Sequence, residues 1–140
     1  MEPTFKVLLV EDISMIRTLI RHQLAELGIT HVVMAADGAG ALDLLIKEPD
    51  VDLILCDWHM APMDGLTFCA QVQTTPHLGG RRIPVLFMTS DERLTDPVKR
   101  KRALEQARDL CIVDILIKPF ETADLRSALV RCASFSAPAA

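Results

Sequence analysis

The sequence predicts an α/β domain built on a parallel five-stranded sheet with helices on both faces. Five short apolar runs alternate along the chain with five stretches of helical periodicity. Each unit between successive runs is too long for a hairpin, so neighbouring strands must run parallel through right-handed crossovers. The 140 residues, half of them hydrophobic, suffice for one core and leave no room for a second domain of ordinary size.

Residues 6–10 form the first apolar run. Ser14 then opens a stretch with Ile16, Leu19, Ile20, Leu24 and Leu27 at helical spacing, closed by Gly28. Residues 31–35 read as the second strand, followed by an Asp37-Gly38 turn and a helix over 39–47 that Pro49 stops. The continuous apolar run from Leu53 to Asp57 suits a strand covered on both faces. A helix over about 65–73 comes next, then a loop with Pro76, Gly79 and Gly80, and a fourth strand near 85–88. Asp96 is placed to cap a helix whose first residue is Pro97, where the missing N–H does no harm. A fifth strand over 114–117 and a last helix from Thr122 to about residue 132 complete the domain, expected over 1–133. The tail 134–140, made of small residues and Pro138, is expected to fray.

Nineteen acidic against fifteen basic residues give a net charge of −4, which argues against nucleic-acid binding over the whole surface, and no DNA partner is expected. The first residues lack the basic and apolar regions of a leader, and no apolar run approaches the ~20 residues of a membrane span. Four cysteines fall singly, without C-x-x-C spacing. A soluble protein of the reducing cytoplasm fits these features.

In an open parallel sheet, function gathers at the carboxyl ends of the strands. Glu11 and Asp12 follow the first strand, Asp57 ends the third, Thr89 and Ser90 follow the fourth, and Lys118-Pro119 follow the fifth. Three carboxylates brought within a few ångström repel one another unless a cation neutralises them. All these ligands are oxygens, with no Cys or His beside them, so a hard divalent ion is favoured over zinc, and Mg²⁺ with several retained waters suits so sparse a cage. A carboxylate beside Mg²⁺ can attack phosphorus, while Lys118 and the Thr89 hydroxyl stabilise charge on the phosphoryl oxygens.

The segments VLLVED with Glu11-Asp12, LILCDW with Asp57, the Met63-Asp64-Gly65 turn, FMTS with Thr89 and IKPF with Lys118-Pro119-Phe120 occur in this order. Together they resemble the response-regulator receiver domain of the chemotaxis CheY type over roughly residues 5–133. The resemblance implies strand order 2-1-3-4-5 and a cis peptide before Pro119. It also implies that Asp57 accepts phosphate from a histidine kinase or phosphotransfer protein in a two-component system. Asp12 and Asp57 would bind Mg²⁺ directly, Glu11 through water, and the His59 backbone carbonyl would complete the set. Output would pass to a downstream target protein through the fourth and fifth helices and fifth strand. Such a chain is not an enzyme in the ordinary sense, since it takes part in phosphoryl transfer to its own Asp57 and in the hydrolysis that follows.

Departures from the family pattern bear on output. Ile115 stands where most relatives carry Tyr or Phe, Pro62 is displaced by one place from the usual pattern, and His59 occupies the second position after the acceptor. The stretch from Thr89 to Lys118 is several residues longer than in the CheY type. It carries Lys99-Arg100-Lys101-Arg102 and Arg108. Guanidinium groups pair with phosphate and with guanine edges, so a cyclic-di-GMP-responsive adaptor binding through Arg100, Arg102 and Arg108 is the alternative reading. A haloacid-dehalogenase type of hydrolase wants a second Asp where His59 stands, and the acidic loop 11–14 does not suit FMN phosphate.

Overall fold

The computed structural model describes residues 5–133; the expected tail at 134–140 lies outside the described residues. Five strands, β1 (Lys6–Val10), β2 (His31–Ala35), β3 (Leu53–Asp57), β4 (Val85–Thr89) and β5 (Ile112–Ile117), alternate with five helices. These are α1 (Ser14–Glu26), α2 (Gly38–Lys47), α3 (Gly65–Thr74), α4 (Pro97–Gln106) and α5 (Thr122–Ala133). All pairings are parallel, in the order β2-β1-β3-β4-β5.

Side-chain alternation divides each central strand between two cores. Leu8, Val10, Ile54, Cys56, Val85 and Phe87 pack with Ala41 and Leu45 of α2 and with Phe68, Cys69 and Val72 of α3. Val7, Leu9, Leu53, Leu55, Leu86 and Met88 pack with Ile20 and Leu24 of α1 and with Leu125, Ala128 and Leu129 of α5. A strand buried on both faces has no polar side to spare, which is why β1, β3 and β4 read as unbroken apolar runs. All four cysteines are free and buried.

Local chemistry sets the ends of the helices. Asp37, Asp64 and Asp96 each accept a backbone N–H of the first turn, from Gly40 at 2.7 Å, Thr67 at 2.8 Å and Val98 at 3.2 Å. Because Asp37 is the cap, α2 begins at Gly38, one residue before the expected start. Gly28 adopts a left-handed φ of 85°, and the Ile29 N–H reaches back to the Leu24 carbonyl at 2.9 Å, ending α1.

The fifth strand starts earlier than its pattern suggests. Cys111 takes a left-handed φ of 62°, and Val85 pairs with Ile112 while Leu86 pairs with Asp114, so Val113 is an extra residue on β5. This bulge interrupts the alternation that marks a strand in sequence. The long stretch between β4 and β5 is filled by α4 and by two short 3₁₀ turns, Glu92–Thr95 and Arg108–Leu110. Among the described residues no helix is long and apolar enough to cross a membrane.

Candidate phosphoacceptor site

Each strand places its last residue, or the one after it, at the same edge of the sheet. Glu11 extends β1 by donating its N–H to the Ala35 carbonyl at 3.1 Å, and its side chain is fully buried. Asp12 follows it and is exposed. Asp57 ends β3 opposite Met88, and the next residue, Trp58, donates its N–H to the Met88 carbonyl at 2.9 Å. Thr89, fully buried, ends β4 opposite Ile117, and the Lys118 N–H donates to the Thr89 carbonyl at 2.7 Å.

Ligand oxygens of Glu11, Asp12 and Asp57 lie within 4.8 Å of one another. Lys118 Nζ donates to Glu11 Oε1 at 2.6 Å and stands 3.3 Å from Asp57 Oδ1. The Lys118–Pro119 peptide is cis, as the family pattern implies. One ammonium thus touches two of the three clustered carboxylates, which leaves the cluster short of positive charge. Burial is the chief reason that the Glu11 carboxyl sits above its ordinary range; Asp12 and Asp57 push it the same way, and Lys118 opposes them. Closely set oxygen donors with a charge deficit and no His or Cys among them fit a hard divalent cation.

The Thr89 hydroxyl oxygen accepts the Asp91 N–H at 3.1 Å, leaving its own hydrogen available to a further acceptor. Ser90, the other hydroxyl considered from the sequence, is exposed. The exposed His59 ring stacks on Trp58, with centroids 5.9 Å apart and planes 9° from parallel, and contributes no nitrogen to the carboxylate cluster. Trp58 also tilts against Phe87 at 5.1 Å. Between Trp58 and α3 the chain makes a tight loop, closed by the Gly65 N–H donating to the Trp58 carbonyl at 2.8 Å. This loop contains a second cis peptide, Ala61–Pro62, where the sequence shows its displaced proline.

Of the three arginines of the nucleotide alternative, two share a groove and the third does not. Arg100 pairs with Asp114 of β5. Arg108 lines the same groove as Arg100, beside Leu104 and Ile112, whereas Arg102 lines a neighbouring hollow with Val98 and Glu105. Sequence reasoning passed over Asp114, which is buried and also accepts from Arg131. The one available signal was an acidic residue inside an otherwise apolar strand.

A parallel sheet in this order, with acidic residues, a hydroxyl and a lysine at its carboxyl edge, defines the class of small α/β signalling domains. The profile of the response regulator receiver domain matches residues 7–130, so the chain belongs to that family and to two-component phosphorelay signalling. It is 31% identical over 124 residues to chemotaxis protein CheY-3 of Vibrio cholerae, covering 89% of this chain and 88% of that protein. It is 30% identical over 124 residues to chemotaxis protein CheY of Pseudomonas aeruginosa, covering 89% and 92% of the two. Among solved structures, CheY4 of Vibrio cholerae superposes with a TM-score of 0.71 at 28% identity, covering 91% of this chain and 98% of that one. The receiver domain of a Pseudomonas aeruginosa sensor histidine kinase, solved with a magnesium ion coordinated in its active-site cleft, gives a TM-score of 0.71 at 29% identity, covering 94% and 98%. These relatives lend no support to cyclic-di-GMP binding.

Proposed function

We propose that Asp57 is the phosphoacceptor, that Mg²⁺ is held by Asp12 and Asp57 with Glu11 acting through water and the His59 carbonyl as a further ligand, and that residues 1–133 form the working unit. The observation that carries this reading is the cluster of three carboxylates within 4.8 Å, with Lys118 Nζ between Glu11 and Asp57.

An Asp57 carboxylate oxygen attacks the phosphorus of a phosphohistidine on a histidine kinase or phosphotransfer protein. The O–P bond forms as the N–P bond breaks, and the imidazole leaves with its electron pair. Mg²⁺, when bound, neutralises the carboxylates and the phosphoryl oxygens together. Lys118 can exchange its hold on Asp57 for a phosphoryl oxygen, and the Thr89 hydroxyl can donate to another. Water later attacks the phosphorus; its O–P bond forms as the Asp57 O–P bond breaks, releasing inorganic phosphate and a proton and returning Asp57 to its carboxylate. The change is passed to a downstream target through the surface formed by α4, β5 and α5.

Intact-mass measurement after incubation with acetyl phosphate and Mg²⁺ tests the assignment. One phosphoryl adduct is expected on the wild type, absent without Mg²⁺ and absent in Asp57→Asn. An adduct that survives in Asp57→Asn would move the acceptor elsewhere.

A further inference from the structure

Helix α4 is weakly held by packing. None of its residues is fully buried, and its apolar contribution to the core comes from the half-buried Ala103 and Leu104. A polar anchor supplements these contacts. The Asp114 carboxylate on β5 accepts from Arg100 of α4 through Oδ1, which also accepts the Ile115 N–H at 2.9 Å. Through Oδ2 it accepts Arg131 Nε of α5 at 2.5 Å. One carboxylate therefore joins two helices that flank the open edge of the sheet on opposite faces.

The bulge explains how a single side chain serves both. Beyond the extra residue Val113, Ile115 and Ile117 face the core of α2 and α3 while Leu116 faces that of α1 and α5, so Asp114 falls where the alternation is offset. From Asp114 to Ile117 the strand is paired without interruption to Leu86–Thr89, and the next residue is Lys118. The same stretch, roughly 13 Å long at strand rise, bears the two-helix anchor at one end and the site lysine at the other. Ile115 between them is sealed in the core and has no polar group with which to move. A cleft of about 350 Å³, lined by Arg100, Phe120 and Arg131, lies where α4, β5 and α5 meet.

We propose that Asp114 is a positioning residue that couples the placement of α4 and α5 to the phosphorylation state of Asp57, by tying Arg100 and Arg131 to the strand that carries Lys118. This rests on Asp57 being the acceptor. Both arginines are partly exposed and can hydrate when released, so Asp114→Asn is expected to fold; Arg100→Gln, on the surface helix, removes the α4 half alone.

Hydrogen exchange is followed by mass spectrometry with Mg²⁺, with and without acetyl phosphate, alongside the adduct yield. In the wild type, exchange of the α4 amides changes at least fivefold on phosphorylation. In Asp114→Asn and Arg100→Gln, α4 exchanges about tenfold faster before phosphorylation, and its response falls below twofold. Adduct yield and β1 and β3 protection stay within twofold, and Arg100→Lys restores part of the response. The proposal is overturned if α4 responds in both variants as in the wild type, or if α4 of the phosphorylated wild type does not respond. A wild type that takes no adduct on Asp57 overturns the acceptor reading and the coupling together; an adduct with an unaltered α4 response in the variants removes the coupling alone.

Discussion

Glu11 is enclosed by protein yet lies among other carboxylates, and burial raises its pKa above the ordinary 4.5 despite the Lys118 ammonium at 2.6 Å. A carboxyl whose folded pKa exceeds its unfolded one favours folding below the unfolded value, and that contribution is lost as pH rises through the folded value. The protein without a cation is therefore least comfortable with Glu11 ionised. Glu11→Gln is expected to raise the Tm of the Mg²⁺-free protein near neutral pH, while weakening Mg²⁺ binding about 10- to 100-fold, the usual effect of losing a group that orients metal ligands. Calorimetric Tm and titration with Mg²⁺ alone check both signs. The Mg²⁺-induced rise in Tm should also shrink as the pH falls through the raised range in which Glu11 takes up its proton, because protons compete with the cation for the carboxylate oxygens. At this scale the positions of Glu11, Asp12, Asp57, Thr89 and Lys118 at or just beyond the strand ends were legible, because strand ends can be read from apolar runs. It concealed Asp114, whose partners stand 14 and 17 residues away on two helices and follow no local spacing.

At the scale of elements, β1, β2 and β3 matched their apolar runs because polar or turn residues break each run at or within two residues of the strand end, as Glu11-Asp12, Asp37-Gly38 and Asp57 do. The start of β5 did not, since the bulge at Val113 and the left-handed Cys111 break the period-two pattern. The loop from β3 to α3 shows how closely an element can approach the site. A Cβ on Gly65 would lie 2.8 Å from the Asp57 carbonyl oxygen, 3.0 Å from Trp58 Cα and 3.1 Å from the Phe87 ring. Two of these neighbours are backbone and cannot swing aside. Gly65→Ala is expected to cost about 1–3 kcal/mol, seen as a lower urea midpoint with an unchanged m-value, and to reduce adduct yield by displacing Asp57. An unchanged midpoint would show that the loop yields freely. From sequence the Met63-Asp64-Gly65 turn was legible as a motif, but the contact that makes glycine necessary was not, because Phe87 comes from another strand.

Over the whole molecule, the two cores on either face of the sheet followed from alternating strands and helices, whereas the strand order came only through family resemblance. Periodicity does not state which strand lies beside which. The two cores also divide the thiols: Cys56 and Cys69 lie in one, Cys132 in the other, and Cys111 at the turn into β5. Burial pushes Cys56 well above the ordinary thiol range and holds Cys69 and Cys132 at about 12. The folded protein should thus be inert to alkylating reagents near neutral pH, since only an exposed thiolate attacks them. Labelling then becomes a clock for opening: Cys132, in the last turn of α5, should react first and Cys56, in the central strand β3, last. Peptide mapping of timed iodoacetamide quenches reads the sequence of events, and simultaneous loss of all four thiols would mean that the two layers open as one cooperative unit.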